Sequence, residues 1–248
     1  MRILSHNVFW FQGVPFATDH PGAPVTAILD RMAACYSQLE PDIICLQELQ
    51  SPETFEAIAD ALETTGVYLQ GGTLQQYGGG ILTAGGTAVG DSSGAEDPAQ
   101  RVWQVVDVEG EEESDDLRIA NLHLPSSRQL GAEASAAKRI SEVDDVLAYE
   151  PDVIVGDWNE KPGGPLTELM SSRGFVDAAV VSGREDTTSS IGGGRGDQIW
   201  VAKGLASRLV GYGAVDVSDF GVEDVEGKTH VSDHLPIWID LGDLNADV

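Results

Sequence analysis

Apolar positions along the chain follow two periods: short extended runs, and longer stripes spaced three and four residues apart. Residues 2–8 open as a strand-like run. Residues 24–39 carry Val25, Ile28, Leu29, Met32, Ala33, Tyr36 and Leu39 at helical spacing. Residues 42–47 predict a short buried strand. Residues 53–64 predict a helix, with Ser51 as its cap and Pro52 in its first turn. Strands are expected near 67–70, 80–84, 102–108 and 117–124, a helix over 129–148, a strand over 152–156 and a helix over 164–173. Three more strands are expected over 197–201, 209–215 and 236–241. Residues 71–100 and 182–196 are rich in Gly and Ser and read as mobile loops, because no second core pattern begins after either. The alternation predicts an α/β fold in one domain, residues 1–248, long enough to bury a substantial core.

An internal echo adds topology. Residues 40–49 (EPDIICLQEL) align without gaps with residues 150–159 (EPDVIVGDWN). Each copy follows a helix, and each helix follows a strand ending in a polar residue, Asn7 in the first half and His123 in the second. The echo predicts two related half-sheets packed face to face. That packing would bring Asn7, Glu48, His123, Asp157 and Asn159 to one shared edge.

Charge changes the picture most. The chain has 41 acidic residues against 14 basic ones, a formal charge of −27. Self-repulsion of this size destabilises a compact fold in dilute buffer, and multimolar salt screens it; the composition predicts a halophilic protein. No Lys/Arg cluster exists to bind nucleic acid through the general surface. Any phosphate substrate must be held locally, by a divalent metal and a few arginines. The acidic run at residues 109–116 reads as a solvated hairpin loop, since it lacks the ligand spacing of a calcium loop. Cys35 and Cys45 are the only cysteines and read as buried thiols. No run approaches a membrane span and the N-terminus shows no signal-peptide pattern, so a cytoplasmic location is expected and no membrane or protein partner is evident.

The chemistry-bearing residues lie at strand edges. Asp157 and Asn159 are two residues apart and point the same way from an extended chain. Asp233 beside His234 pairs a hard oxygen ligand with a titratable base. Glu48 ends an apolar strand, where an acid is costly unless paired, so metal ligation is favoured. These are the parts needed to bind Mg²⁺ or Mn²⁺ and to attack a phosphate ester with water.

Six segments in order resemble the endonuclease/exonuclease/phosphatase superfamily over nearly the whole chain: residues 2–8, 42–48 (DIICLQE), 121–124 (NLHL), 156–159 (GDWN), 195–201 (RGDQIWV) and 232–236 (SDHLP). The resemblance implies a four-layer α/β sandwich, two mixed β-sheets packed face to face with helices outside. It implies that Glu48 is the main metal-binding glutamate, that Asn7 supports the metal or a phosphate oxygen, and that Asp233 is a metal ligand or its near neighbour. Asp157 and Asn159 would orient the attacking water and hold the phosphoryl oxygen. His234 resembles the catalytic histidine, with Asp197 as its orienting carboxylate. His123 would act as leaving-group acid or oxyanion stabiliser, and the general base belongs to the cluster rather than to one residue. Arg101 resembles an arginine that contacts phosphate in some members; a surface arginine fits equally. His6, His20 and His230 are given no role.

The chain departs from nuclease members in lacking a basic or aromatic DNA-contacting loop: residues 71–100 hold Tyr77 as their only aromatic and no Lys or Arg. The leading expectation is a Mg²⁺- or Mn²⁺-dependent phosphodiesterase acting on nucleic acid. The second is a phosphatase or phosphodiesterase for a small molecule or a phospholipid headgroup, and the third a non-catalytic scaffold.

Overall fold

A computed structural model describes residues 1–95, 97–110, 116–222 and 224–242, and places twelve strands in two six-stranded sheets. From edge to edge the first sheet contains β11 (Leu209–Ala214), β12 (Ile237–Leu241), β1 (Arg2–Asn7), β2 (Ile43–Leu49), β4 (Gly78–Leu82) and β3 (Gly66–Leu69). The second contains β5 (Gly86–Asp91), β6 (Val102–Val108), β7 (Leu117–His123), β8 (Val153–Asp157), β10 (Asp197–Ala202) and β9 (Phe175–Asp177). Each sheet has one parallel pair at its centre, β1 with β2 and β7 with β8. Helix α1 (Thr26–Leu39) makes the first crossover; the second is made by α3 (Ser127–Leu130) and α4 (Ala132–Leu147). Helix α2 (Pro52–Ala61) follows β2, as α5 (Pro165–Ser172) follows β8.

Strand alternation builds three cores from these elements. Ile3, Ile43, Cys45 and Ile81 meet Val106, Ile119, Val153, Val155 and Ile199 between the sheets. The alternate positions Leu4, Ile44 and Leu46 turn outward onto Ile28, Met32 and Tyr36 of α1 and Phe55 and Ile58 of α2. On the far side Ala120, Leu122 and Ile154 meet Val143 and Val146 of α4 and Leu166 and Met170 of α5. Burial on both faces explains why these strands read as nearly continuous apolar runs. The result is the four-layer α/β sandwich. Gln47 and Asn121 bridge the sheets beneath the site, Nε2 of the first donating to Oδ1 of the second at 2.7 Å.

The internal echo extends to side-chain detail. Glu40 and Glu150 both cap a crossover in the left-handed region, at φ +49° and +51°. Arg2 donates through Nε to Asp240 (2.7 Å) and through Nη1 to the Leu39 carbonyl (2.5 Å). Arg118 repeats this on Asp107 (2.6 Å) and the Tyr149 carbonyl (2.8 Å). Asp42 and Asp152 each accept the backbone N–H of the corresponding arginine. Two copies of one supersecondary unit thus face each other, and the equivalent strand ends carrying Asn7 and His123 meet at one edge.

Four details differ from the sequence reading, one being the short strand β9, which that reading did not expect. The helix expected over 129–148 is two helices, because Gly131 adopts φ +78°. The 71–100 segment contains β5, a strand disguised by Gly86 and Gly90; a Cβ at Gly90 would come within 2.2 Å of the Tyr149 ring packed over it. Residues 182–196 form no long element but are pinned next to the site by Ile191 N–H to Asp233 O (3.0 Å) and Leu235 N–H to Ser189 O (2.9 Å). The acidic run lies outside the described residues from 111 to 115; its flanking strands β6 and β7 pair antiparallel. Both cysteines are free, Cys45 buried and Cys35 half-buried. Among the described residues no helix is long and apolar enough to cross a membrane.

Candidate active site

Register across the second sheet lays three of the expected residues in one row. His123 at the end of β7 faces Asp157 at the end of β8, which faces Asp197 at the start of β10. The first sheet contributes Asn7 from the end of β1 and Glu48 from β2. Glu48 sits in a β-bulge, with φ +60° and a register shift between Gln47 and Leu49. A bulge re-aims a side chain that regular pleating would send elsewhere. Ser232 ties the segment before β12 to this edge, donating from Oγ to the Asn7 carbonyl (2.8 Å) and accepting from His234 N–H (3.1 Å).

Asp157 is the centre. Its Oδ2 accepts from Asn7 Nδ2 at 3.2 Å and lies 3.2 Å from His123 Nε2 and 3.8 Å from His234 Nε2. Its Oδ1 accepts the Asn159 N–H (2.9 Å), and Asn159 Nδ2 donates to the Leu124 carbonyl (3.0 Å). Asn7 Nδ2 also donates to Glu48 Oε1 (3.1 Å), while its Oδ1 accepts the Phe9 N–H (3.0 Å). The amide orientation follows from this, since a flipped amide would aim an oxygen at two carboxylates. Asn7 therefore presents its donor side to the carboxylates.

His234 Nδ1 lies 2.8 Å from Asp197 Oδ2, which leaves Nε2 facing the cluster. The Asp197 backbone N–H is held in turn by Ser189 Oγ (3.0 Å). Burial alone would lower the His234 pKa, but Asp197, Asp157 and Asp233 more than offset it and raise it well above the ordinary value. Burial would likewise raise Asp157, yet His123, His234 and Arg101 hold it below the usual carboxylate range. Burial raises Asp197, with His234 opposing. His123 is fully buried, and burial and then the Arg101 charge lower it to about 4. Its Nε2 is contacted by Arg101 Nη1, which also donates to the Leu124 carbonyl (3.2 Å). A neutral ring accepting from Arg101 at Nε2 cannot donate to Asp157 from the same atom, so this corner carries competing demands.

Glu48 is the outlier. It is 7 % exposed, its Oε2 has no hydrogen-bond partner, and burial pushes its pKa up to about 7, only partly offset by Arg101, His234 and Asn7. Asp233 Oδ1 is shielded and likewise without a hydrogen-bond partner, 3.9 Å from His234 Nε2, although the side chain as a whole is part-exposed. Two orphaned carboxylate oxygens at one site suit a hard divalent cation. Asp157, Asp197 and His234 also lie close enough together to hold one, but His234 and Asp197 already satisfy each other, whereas Glu48 Oε2 and Asp233 Oδ1 lack hydrogen-bond partners.

All nine expected residues converge here: Asn7, Glu48, Arg101, His123, Asp157, Asn159, Asp197, Asp233 and His234. Arg101 is buried, not a surface residue, with its guanidinium 4.6 Å from the Tyr77 ring centroid. His6 points away, to the Tyr36 hydroxyl (2.5 Å) and the His234 carbonyl (3.2 Å). A cleft of about 660 Å³ opens over Glu48, Asp157, Asn159 and His234, and Phe9, Trp10, Phe16 and Tyr77 form its wall. The sequence reading missed this wall, although Phe9, Trp10 and Phe11 follow Asn7 with only Val8 between. A second cleft of about 520 Å³ opens on the other side of Asp157, Asn159, Asp233 and His234, bounded by residues 190–196 and Lys161.

Gly156 explains the glycine that opens GDWN. Its φ is +140°, and a Cβ would lie 1.9 Å from the Leu122 carbonyl oxygen. Gly156→Ala is expected to cost about 2–4 kcal/mol by strain and overpacking, read as a lowered denaturant midpoint, and to shift Asp157 enough to reduce turnover.

The endonuclease/exonuclease/phosphatase family model matches residues 4–234. Solved structures share the fold. A mannosyl-6-phosphatase from Bacteroides thetaiotaomicron aligns with TM-score 0.73 and 13% identity, covering 98% of this chain and 100% of that one. A family protein from Leptotrichia buccalis aligns with TM-score 0.67 and 15% identity, covering 98% and 100%. TDP2 from D. rerio, complexed with a single-strand DNA product, aligns with TM-score 0.66 and 16% identity, covering 98% and 99%. Comparison with curated proteins found no match.

Proposed function

The chain belongs to the endonuclease/exonuclease/phosphatase family, whose members are metal-dependent phosphoesterases, and from that premise we propose that this enzyme is a phosphodiesterase acting on nucleic acid. The observation that carries the reading is the two-sided site. Asp157, Asn159, Asp233 and His234 line both clefts, so a phosphate at the cluster has room for a substituent on each side. A monoester would need only one.

Glu48 and Asp233 would hold a divalent cation, Mg²⁺ or Mn²⁺, with Asn7 orienting Glu48. A cation there supplies Lewis-acid stabilisation of the phosphoryl oxygen. Asp157, ionised at the centre, orients the attacking water, whose proton passes to the cluster of carboxylates and histidine rather than to one assigned residue. His234, kept protonated by Asp197 and its neighbours, offers positive charge to the phosphoryl oxygen, and Asn159 adds an N–H donor. Arg101 meets a phosphate oxygen, which would leave His123 Nε2 facing Asp157 alone, and the protonated His234 is the group with a proton to give the leaving oxygen. The net charge of −27 favours the reading that folding and activity need concentrated salt, which screens self-repulsion. A small-molecule phosphatase is the second reading, favoured by the scarcity of cations around the site.

The test is cleavage of single- and double-stranded DNA, RNA, phosphomonoesters and headgroup diesters with Mg²⁺ or Mn²⁺, in low and multimolar KCl. Nucleic-acid cleavage that peaks in concentrated KCl is expected. Turnover of phosphomonoesters alone would overturn the diesterase reading, and loss of activity above molar KCl would overturn the salt reading.

A further inference from the structure

Two features flanking the cluster have no part in the chemistry so far. The first is the aromatic wall. Directly after Asn7 the chain takes a left-handed turn, with Phe9, Trp10 and Phe11 at φ +48°, +52° and +54°. Bulky residues rarely adopt this conformation, and each costs of order 1–3 kcal/mol. The turn is held by Phe9 N–H to Asn7 Oδ1 (3.0 Å), Trp10 Nε1 to the Gln76 carbonyl (2.7 Å) and Gln50 Nε2 to the Trp10 carbonyl (3.2 Å). Its outcome is that the half-buried rings of Phe9 and Phe16, 5.9 Å apart, stand at the cleft beside the cluster. Lys228 Nζ fixes the Phe16 loop by donating to the Pro15 carbonyl (2.8 Å). The strain is spent on presenting apolar rings where water would otherwise meet them.

The second feature is a pair of free cations. Arg128 and Lys161 are exposed beside the second cleft and, among the described residues, make no ion pair or hydrogen bond. Arg2, Arg118, Lys138 and Arg173 each find a carboxylate in this acidic chain, whereas Arg128 and Lys161 line the cleft that holds Asp157 and His234. The loop beside them passes against Lys161 at Gly194, where an added Cβ would lie 3.5 Å from Lys161 Cε, and leaves open space at Gly192, Gly193 and Gly196.

Resting on the phosphodiesterase reading, we infer that the site takes a short stretch of single-stranded nucleic acid. One base stacks on the Phe16 ring with the perpendicular Phe9 ring (89°) at its edge, the scissile phosphate lies over the cluster, and the next phosphate is held by Lys161, which lines the second cleft, and Arg128, which lines both. Stacking requires a base free of a duplex partner and tolerates any base, because each presents a π-face. A duplex would need a basic surface along both backbones, whereas two free cations serve about one neighbouring phosphate. Substrate choice then comes from the wall and the cation pair, while the cluster does the chemistry.

The test uses pentathymidylate and a set of pentamers in which one thymine at a time is replaced by an abasic sugar, with Mg²⁺ at the KCl concentration of greatest stability. Phe16→Ala should lower kcat/KM for the parent by about 5- to 150-fold, the range of a base–aromatic stack. It should leave unchanged the one abasic isomer that already lacks the stacked base, and Phe16→Tyr should restore the parent rate. Lys161→Ala should lower all the pentamers alike. Equal damage by Phe16→Ala on every isomer, or duplex cleaved as fast as single strand, would overturn the inference while leaving a nuclease. Turnover of phosphomonoesters with no pentamer cleaved would overturn the diesterase reading and this inference with it.

Discussion

Glu48→Gln is expected to lower kcat/KM by about 10³-fold, the several kcal/mol that a Lewis acid supplies at a phosphoryl oxygen. Calorimetric titration with Mn²⁺ should show weakened binding in the same variant. Metal-free stability should move the other way. The Glu48 carboxyl is raised to about 7 in the folded protein by burial, against about 4.3 in an unfolded chain. For an acid with a raised folded pKa the native state binds the extra proton between those values. Stability is therefore fullest below the unfolded pKa and falls as pH rises through the folded one. With metal chelated, the wild-type protein should lose up to about 3 kcal/mol of stability between pH 4 and 8 from this group, and Glu48→Gln should lose that part of the slope. The neutral amide keeps the shape but removes the buried charge. Near-normal turnover at subsaturating Mg²⁺, with an unchanged stability profile, would remove Glu48 from the metal site.

His234→Ala should lower kcat by about 10²–10⁴-fold, the range for a positioned proton-transfer or charge-stabilising side chain. Asp197→Asn should approach that loss, because the carboxylate sets the tautomer and holds Nε2 toward Asp157. The two residues form one unit, so the double variant should be hardly slower than His234→Ala alone. Multiplicative losses in the double variant would mean that Asp197 acts elsewhere. KM for a small diester should change little in either variant, since neither residue belongs to the aromatic wall or the cation pair. A loss confined to KM would instead place His234 in substrate binding.

Much of the site was legible because its parts sit at strand ends, where local pattern and motif agree. Glu48, Asp157, His123 and Asn7 each close an apolar run, and a charged or amide group there has few bland explanations. The echo between residues 40–49 and 150–159 indicated a duplicated unit before any coordinates did. Arg101 could not be resolved from sequence, because burial decides its role and nothing local to β6 states it. The aromatic wall was overlooked for a similar reason. Phe9 and Trp10 look like core residues in a chain read by hydrophobicity, and only their left-handed turn brings the wall to the cleft.

Local pattern and composition fixed the α/β class, the period of each major strand and helix, the hard-oxygen character of the candidate donors and the acidic balance of the chain. These rest on interactions within a few residues or on composition. Tertiary structure decided which oxygens are left unpaired, which histidine is charged and which neutral, and that the cluster opens on two sides. Those properties depend on solvent exclusion and on fields from groups on strands up to 227 positions apart, as Asn7 and His234 are, and no local preference encodes them.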